Sequence, residues 1–228
     1  MRIIDGLKKY LRRRALPVRF EDLTRMKPVH EEFGLEYGTP IDRWYIERFL
    51  KEEHAAIRGD VLEVGESFYT DRFGFGVRSK SILCTRSEKR KGIIVGDLTR
   101  PDTLPSQRFD CFICTQTFNF IFDVKAAVNG AATILKPGGV LLGTVAGYCS
   151  QVSRYDYENW GDYWRFSDQA IKALLLPHFS RIKVLGMGNV AAAKALQDGI
   201  VVEQLPTLES LAYMDPIYPV IIAFRAIK

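Results

Sequence analysis

Apolar positions fall into two recurring patterns along this chain. Continuous apolar runs occur at Asp60–Gly65 (DVLEVG), Ser81–Thr85 (SILCT), Gly92–Val95 (GIIV), Phe109–Thr115 (FDCFICT) and Gly139–Val145. Unbroken runs of this length predict strands covered on both faces. Helical spacing appears instead at Ile41, Trp44, Tyr45 and Phe49, continuing to about Ile57. Thr39 suits the N-cap of that helix, Pro40 its first position, and Gly59 its end. A second helix from about Val124 to Leu135 joins the fourth strand to the fifth, its alanines allowing close packing on a sheet. Ser167 caps a third helix that runs to about Leu176 and is closed by Pro177. Strand character returns at Arg181–Leu185 and at Tyr218–Ile227, with two helical pieces between residues 189 and 214 broken near Gly199 and Pro206. Residues 146–166 are polar and aromatic without a period.

Strand–helix alternation followed by two late strands predicts an α/β fold, a doubly wound and mostly parallel sheet of seven strands. Residues 3–15 read as a short amphipathic helix and residues 16–40 as an irregular linking segment rich in Pro and Gly. The division expected is an arm and linker over residues 1–40 and one domain over 41–228, with the 189–214 stretch as a helical insertion before the last strand.

Composition narrows the function classes. With 47% hydrophobic residues the chain can bury a core. No apolar run reaches the length of a membrane span, and no signal peptide opens the chain, so a cytoplasmic location is expected. The net charge of +5 is unevenly placed: residues 1–28 hold nine Lys/Arg against three Asp/Glu, a balance of +6, and the rest is near neutral. A nucleic-acid surface on the body is therefore not expected. The arm can touch an anionic membrane surface or a phosphorylated carrier, or pack on the domain as a solvated helix. Cys111 and Cys114 have CxxC spacing but sit in an apolar run without a second pair, which favours buried strand cysteines over a metal site.

In parallel sheets ligands bind beyond the carboxyl ends of the strands. The first strand ends Glu63-Val64-Gly65-Glu66-Ser67, where glycine permits close backbone approach and the acid can accept from an ammonium group. Asp97, at the end of the third, can accept from a ring amino group or form an Asx turn. Thr115 and Gln116 put polar groups at the end of a very apolar strand.

These segments resemble the class I S-adenosylmethionine-dependent methyltransferases. The matching stretches are VLEVG at 61–65, GDL at 96–98, FDCFICTQTF at 109–118 and LKPGGVLLGTV at 135–145, in the order and at the intervals of that family. IDRWYIERFL at 41–50 and WGDYWRFS at 160–167 are similar to small bacterial methyltransferases associated with glycosyltransferases and polysaccharide biosynthesis. The resemblance implies a Rossmann-like methyltransferase fold and S-adenosyl-L-methionine as cofactor, with S-adenosyl-L-homocysteine as product. It places Glu63, Gly65, Glu66, Ser67 and Tyr69 at the methionine end, Asp97 and Leu98 at the adenine, and Thr115 and Gln116 beneath the sulfonium or carboxylate. Two positions depart from the pattern. Ser67 stands where a second glycine is common. Arg86 falls near the place of the acid that usually binds the ribose hydroxyls, a role an arginine has no acceptor to fill, and the next acid is Glu88. A repurposed fold acting as a binding or scaffold protein is the alternative this motivates.

The segment Tyr148–Phe166 is expected to overhang the acceptor. Aromatic rings bordered by carboxylates suit sugars, so Tyr148, Trp160, Tyr163, Trp164 and Arg165 are candidate substrate contacts and Asp162 the candidate base. The acceptor expected is a glycan, a sugar nucleotide or a related small metabolite methylated on oxygen. Against this stands the reading that the aromatics pack the loop and that Asp162 and Arg165 form a structural ion pair. The insertion reads equally as a lid or as the surface of a homodimer.

Overall fold

The structure, a computed structural model, describes residues 24–87 and 89–228. The expected helix at 3–15 and the side chain of Glu88 lie outside those residues. The described chain forms β1 (Gly59–Val64), β2 (Val77–Cys84), β3 (Ile93–Val95), β4 (Phe109–Thr115), β5 (Leu135–Ala146), β6 (Arg181–Met187) and β7 (Ile221–Ile227). They build one seven-stranded sheet of order β3-β2-β1-β4-β5-β7-β6. Every pairing is parallel except those of β7, which runs antiparallel to both β5 and β6. This is the mostly parallel, doubly wound sheet the alternation predicts. The strand order reverses between β1 and β4, where a crevice opens at the carboxyl ends.

The apolar runs end up covered on both sides. Leu62, Phe112, Cys114 and Leu141 face one core, with α3 (Val124–Ile134) and α5 (Asp168–Leu175) against them. Val61, Cys111, Ile113 and Leu142 face the other, against α1 (Ile41–Glu52) and α6 (Val190–Gln197). The pair Cys111 and Cys114 is thus split between the two faces and fully buried. Burial pushes both thiols up, that of Cys114 to about 12.

Several boundaries move for identifiable reasons. α1 starts at Ile41 without a side-chain cap, because the Thr39 hydroxyl donates to Glu203 Oε1 at 2.7 Å instead. It ends at Glu52, and a 3₁₀ turn at His54–Ala56 completes the stretch to Ile57. A short helix, α2 (Phe68–Phe73), follows β1 where the sequence showed no period. Likewise α4 (Arg154–Asn159) forms within the aperiodic segment, its first turn capped by Ser153. Ser167 caps α5 as expected, accepting from Ala170 N–H.

The insertion holds α6, a 3₁₀ turn at Val202–Gln204 and α7 (Glu209–Ala212). It packs on the segment that precedes α1. Arg25 pairs with Asp198 at 2.7 Å, and the Val29 and His30 amides donate to Asp198 O. Glu203 accepts from both the amide and the hydroxyl of Thr39. The linking segment is therefore strapped to the domain by the insertion. None of the helices among the described residues is long and apolar enough to cross a membrane.

At the amino ends of β1 and β4 an ionic cluster ties the strands together. Lys136 Nζ donates to Asp60 and Asp110, and Arg78 donates to the same two carboxylates at 2.8 Å. The hydrogen bond from Lys136, helped by Ser79, holds the Asp60 carboxyl well below its usual range. For Asp110, burial works upward but is outweighed by the Asp60 amide, Lys136 and Arg78, so its carboxyl also sits low. Carboxyls depressed in the folded state contribute stability above their unfolded pKa of about 4 and lose it as pH falls through the folded values. Lys136→Met is expected to lower Tm by a few degrees at pH 7. The gap from the parent should shrink as the pH is taken below about 3. Thermal melts of both proteins across pH check this, and a gap independent of pH would contradict it.

Candidate functional site

A cavity of about 430 Å³ opens at the carboxyl ends of the central strands. Val64 and Glu66 from the end of β1, Thr115 and Gln116 from β4, and Ala146 from β5 form its floor. Two strand-end features suit a ligand there. Gly65 has φ +77°, and no atom lies within 4 Å of where a Cβ would stand. Gln116 adopts φ +46°, a left-handed conformation costly for a non-glycine residue and typical of functional turns. Its amide donates to Thr144 O at 2.7 Å, which holds it there.

Glu63 lies in the cavity wall but is 4% exposed and committed to the protein. It accepts from the amides of Tyr69 and Thr70 and from the Thr70 hydroxyl at 2.7 Å. Burial raises its carboxyl pKa despite these bonds. Its lone pairs serve the start of α2, so it shapes the glycine loop. Tyr69 also lines the cavity, with burial pushing its phenol to about 12. Ser67 donates to Asp71 at 3.0 Å and borders a second cavity, with Lys80 and Arg90, on the β2 side of the loop. Arg90 reaches back to donate to Gly65 O at 3.0 Å.

Asp97 and Leu98 follow β3, away from the 430 Å³ cavity wall. Asp97 Oδ1 accepts from the Thr99 amide and hydroxyl, which is the Asx turn, and Oδ2 has no hydrogen bond among the described residues. Leu98 is buried in the core, and a Cβ on Gly130 of α3 would collide with its carbonyl. Its side chain anchors the loop, and only its backbone is offered to a ligand. At the end of β2, Arg86 lies over the Trp160 ring, 5.6 Å from its centroid.

The overhang departs from the expected sugar platform. Arg165 lines the cavity, whereas Tyr148, Trp160, Tyr163 and Trp164 lie outside its wall. Trp164 Nε1 donates to the carbonyls of Ile121 and Phe122, and Phe122 stacks on its ring. Tyr163 meets the same Phe122 edge to face. These rings dock the overhang on the turn after β4. Asp162 lines the same cavity but forms the ion pair with Arg165. Its side chain is 1% exposed, pairs with Arg165 through both oxygens and accepts from Ser153 N–H. Arg165 in turn donates to the carbonyls of Ser150 and Gln151. The pair is a structural clamp that shapes the overhang, and it engages both oxygens that a base at Asp162 would use.

Sequence reasoning missed the opposite wall. Glu32, Phe33, Pro40, Asp42, Arg43 and Ile46 line the cavity from the linking segment and the first turn of α1. Asp42 and Arg43 were visible as charges opening an amphipathic helix, a pattern that ordinarily marks a solvated face. Burial raises the Asp42 carboxyl pKa, against the bond it accepts from Arg43 N–H and the nearby guanidinium. Asn119 and Phe120, from the turn after β4, also line the cavity. Asn119 was legible as the one amide in the apolar run FNFIF.

Residues 74–143, from the end of α2 to within β5, match a family model described as a methyltransferase domain. No curated protein matches the chain. Solved structures share the fold. A SAM-dependent methyltransferase from Archaeoglobus fulgidus aligns at TM-score 0.53 and 12% identity, covering 82% of this chain and 94% of that one. The N-methyltransferase NodS from Bradyrhizobium japonicum, in complex with S-adenosyl-L-homocysteine, aligns at TM-score 0.54 and 11% identity, covering 87% and 93%.

The clamp gives a direct test. Asp162→Asn is expected to cost about 2–3 kcal/mol of stability, less than a fully buried pair because Arg165 keeps some water. Denaturant unfolding measures it. An Asp162→Asn protein of parental stability that had lost only methyl transfer would restore Asp162 as base.

Proposed function

We propose that this protein is an S-adenosylmethionine-dependent methyltransferase, a reading supported by its matched domain and its fold, and that it transfers the methyl group to a small polar acceptor held in the 430 Å³ cavity. The observation that carries the reading is the placement of that cavity at the switch point between β1 and β4, floored by Gln116 and the residues flanking Gly65.

The residues fit the cofactor at two of three places. The open space beside Gly65, with Glu66 and the Thr115–Gln116 strand end, would receive the methionine part. Asp97 Oδ2 and the Leu98 backbone would hold the adenine. At the ribose, the end of β2 offers Arg86, whose guanidinium faces Trp160. Among the described residues, the side chain on this rim that can accept from hydroxyls is Glu66, which borders both cavities. When bound, the cofactor supplies an electrophilic methyl carbon on a sulfonium centre. The protein's part is to align the acceptor with that carbon and exclude water. The overhang covers the strand ends, and the linking segment closes the far side.

The acceptor proposed is a small polar metabolite, a sugar or sugar nucleotide among the candidates. The charged side chains in the cavity wall, Glu32, Asp42, Arg43 and Glu66 among them, support this. Oxygen methylation would need a base, and with Asp162 paired, Asp42 is the cavity carboxylate, without an ion pair among the described residues, whose burial raises its affinity for a proton. The repurposed-fold alternative rests on Arg86 alone, since a part-open ribose site is compatible with binding. Contact of the arm with a membrane or anionic carrier, and a homodimer, remain proposals. The insertion, expected as a lid or as a dimer surface, carries the strap to Thr39 and His30.

Calorimetric titration with S-adenosyl-L-homocysteine tests the reading. Micromolar binding is expected, weakened about tenfold or more in Asp97→Ala. Gly65→Val is expected to abolish it, because a branched side chain would both fill the open space and oppose the positive φ. No binding by folded protein would leave the repurposed fold as the better account.

A further inference from the structure

Asn119 is the polar residue whose surroundings ask most clearly for a ligand. It is 2% exposed, lies in the cavity wall, and its Oδ1 is buried with no hydrogen-bond donor among the described residues. A buried acceptor left unpaired costs about 1–3 kcal/mol, so native proteins seldom keep one without a use. Its position is not loose. Phe118 before it is fully buried and stacks on Phe224, and Asn119 O accepts from the amides of Tyr163 and Trp164. The turn after β4 therefore holds an unpaired acceptor oxygen within the cavity wall, on a backbone fixed from two sides.

The charge of the same cavity gives an independent second observation. Glu63 is tied to α2 and Asp162 to Arg165. Four further carboxylates line the wall without an ion pair among the described residues: Glu32, Asp42, Glu66 and Asp156. Among the described residues, one further guanidinium without a salt bridge lines the wall, that of Arg43 beside Asp42. The cofactor, with a sulfonium and an ammonium against one carboxylate, offsets only part of this excess. A second cation is what the remaining field selects.

We infer that the methyl acceptor is an amine, drawn in as its cation by these carboxylates and oriented through an N–H donated to Asn119 Oδ1. The inference rests on the proposed methyl transfer and names its substrate class. For transfer, the ammonium first gives one proton to a cavity carboxylate. Asp42 suits this, since burial raises its affinity for a proton. The freed nitrogen lone pair then forms the C–N bond as the C–S bond breaks, sulfur keeping the bonding pair. The methylated nitrogen holds a positive charge, and it leaves as an ammonium while Asp42 returns its proton to water. A hydroxyl acceptor could satisfy Asn119 but would leave the carboxylates unanswered.

The test uses the full chain saturated with S-adenosyl-L-homocysteine and reads binding by calorimetry. The probes are two pairs differing only in amine for hydroxyl: glucosamine against glucose, and tyramine against tyrosol. At least one amine is expected to bind about tenfold more tightly than its alcohol, with affinity falling as salt rises. Asn119→Leu should abolish the preference and Asn119→Asp should keep it, with S-adenosyl-L-homocysteine affinity unchanged in both. If Asn119→Leu does not fold, retention of the preference in Asn119→Asp and its loss in Asp42→Asn decide the matter. Equal binding within each pair, preference for the alcohols, or no binding by any probe at millimolar concentration would overturn the inference while leaving methyl transfer standing. Failure to bind S-adenosyl-L-homocysteine would remove both.

Discussion

Burial of the central strands on both faces is the constraint from which the rest of this molecule follows. Val61, Leu62, Cys111, Phe112 and Ile113 are fully buried, and their backbone groups can be satisfied only within the ladder. Polar side chains are thereby excluded from the middle of the sheet and collect at its two ends. At the amino ends they neutralise one another, as Lys136 and Arg78 do with Asp60 and Asp110. At the carboxyl ends they do so incompletely. Glu63 shows the boundary between the two regimes: it is buried almost like its neighbours, and it persists because three donors from the start of α2 meet it.

The carboxyl end is also where backbone geometry is least relaxed. Gln116 is held left-handed by its bond to Thr144 O, and the turn beyond it carries Asn119 with an unanswered oxygen. The overhang from β5 closes on this turn through Trp164 and is stiffened by the Asp162–Arg165 clamp. Strain and an unmatched acceptor therefore stand side by side in an otherwise well-paired structure. Such local violations are expected where a site must stay ready for something the chain itself does not supply.

Much of the fold was legible because it depends on runs and spacing. FDCFICT gave β4 to the residue, and Ser167 gave the start of α5. The short helices α2 and α4 were not legible, since six residues are too few for a period to declare itself. The strand-end half of the site could be read from Gly65, Thr115 and Gln116. The far wall could not, because Glu32 and Asp42 reach the cavity through tertiary packing on residues 198–204. Nothing local distinguishes them from solvated charges. The aromatic density of 148–166 was visible and pointed the wrong way: the same residue types that suit a sugar face also suit the docking of one loop on another.

The strap between Thr39 and Glu203 joins residues 164 positions apart. Its lateness along the chain has a consequence for synthesis. The parallel part of the sheet, β3-β2-β1-β4-β5, can assemble as soon as β5 has emerged, but the far wall has nothing to lean on until the insertion is made. A nascent chain would thus carry a formed strand-end floor and an open far side over about a quarter of its translation, between the completion of β5 and that of the strap. High contact order confined to one wall makes completion of the cavity one of the last folding events. It also ties the pocket's competence to the chain being nearly whole.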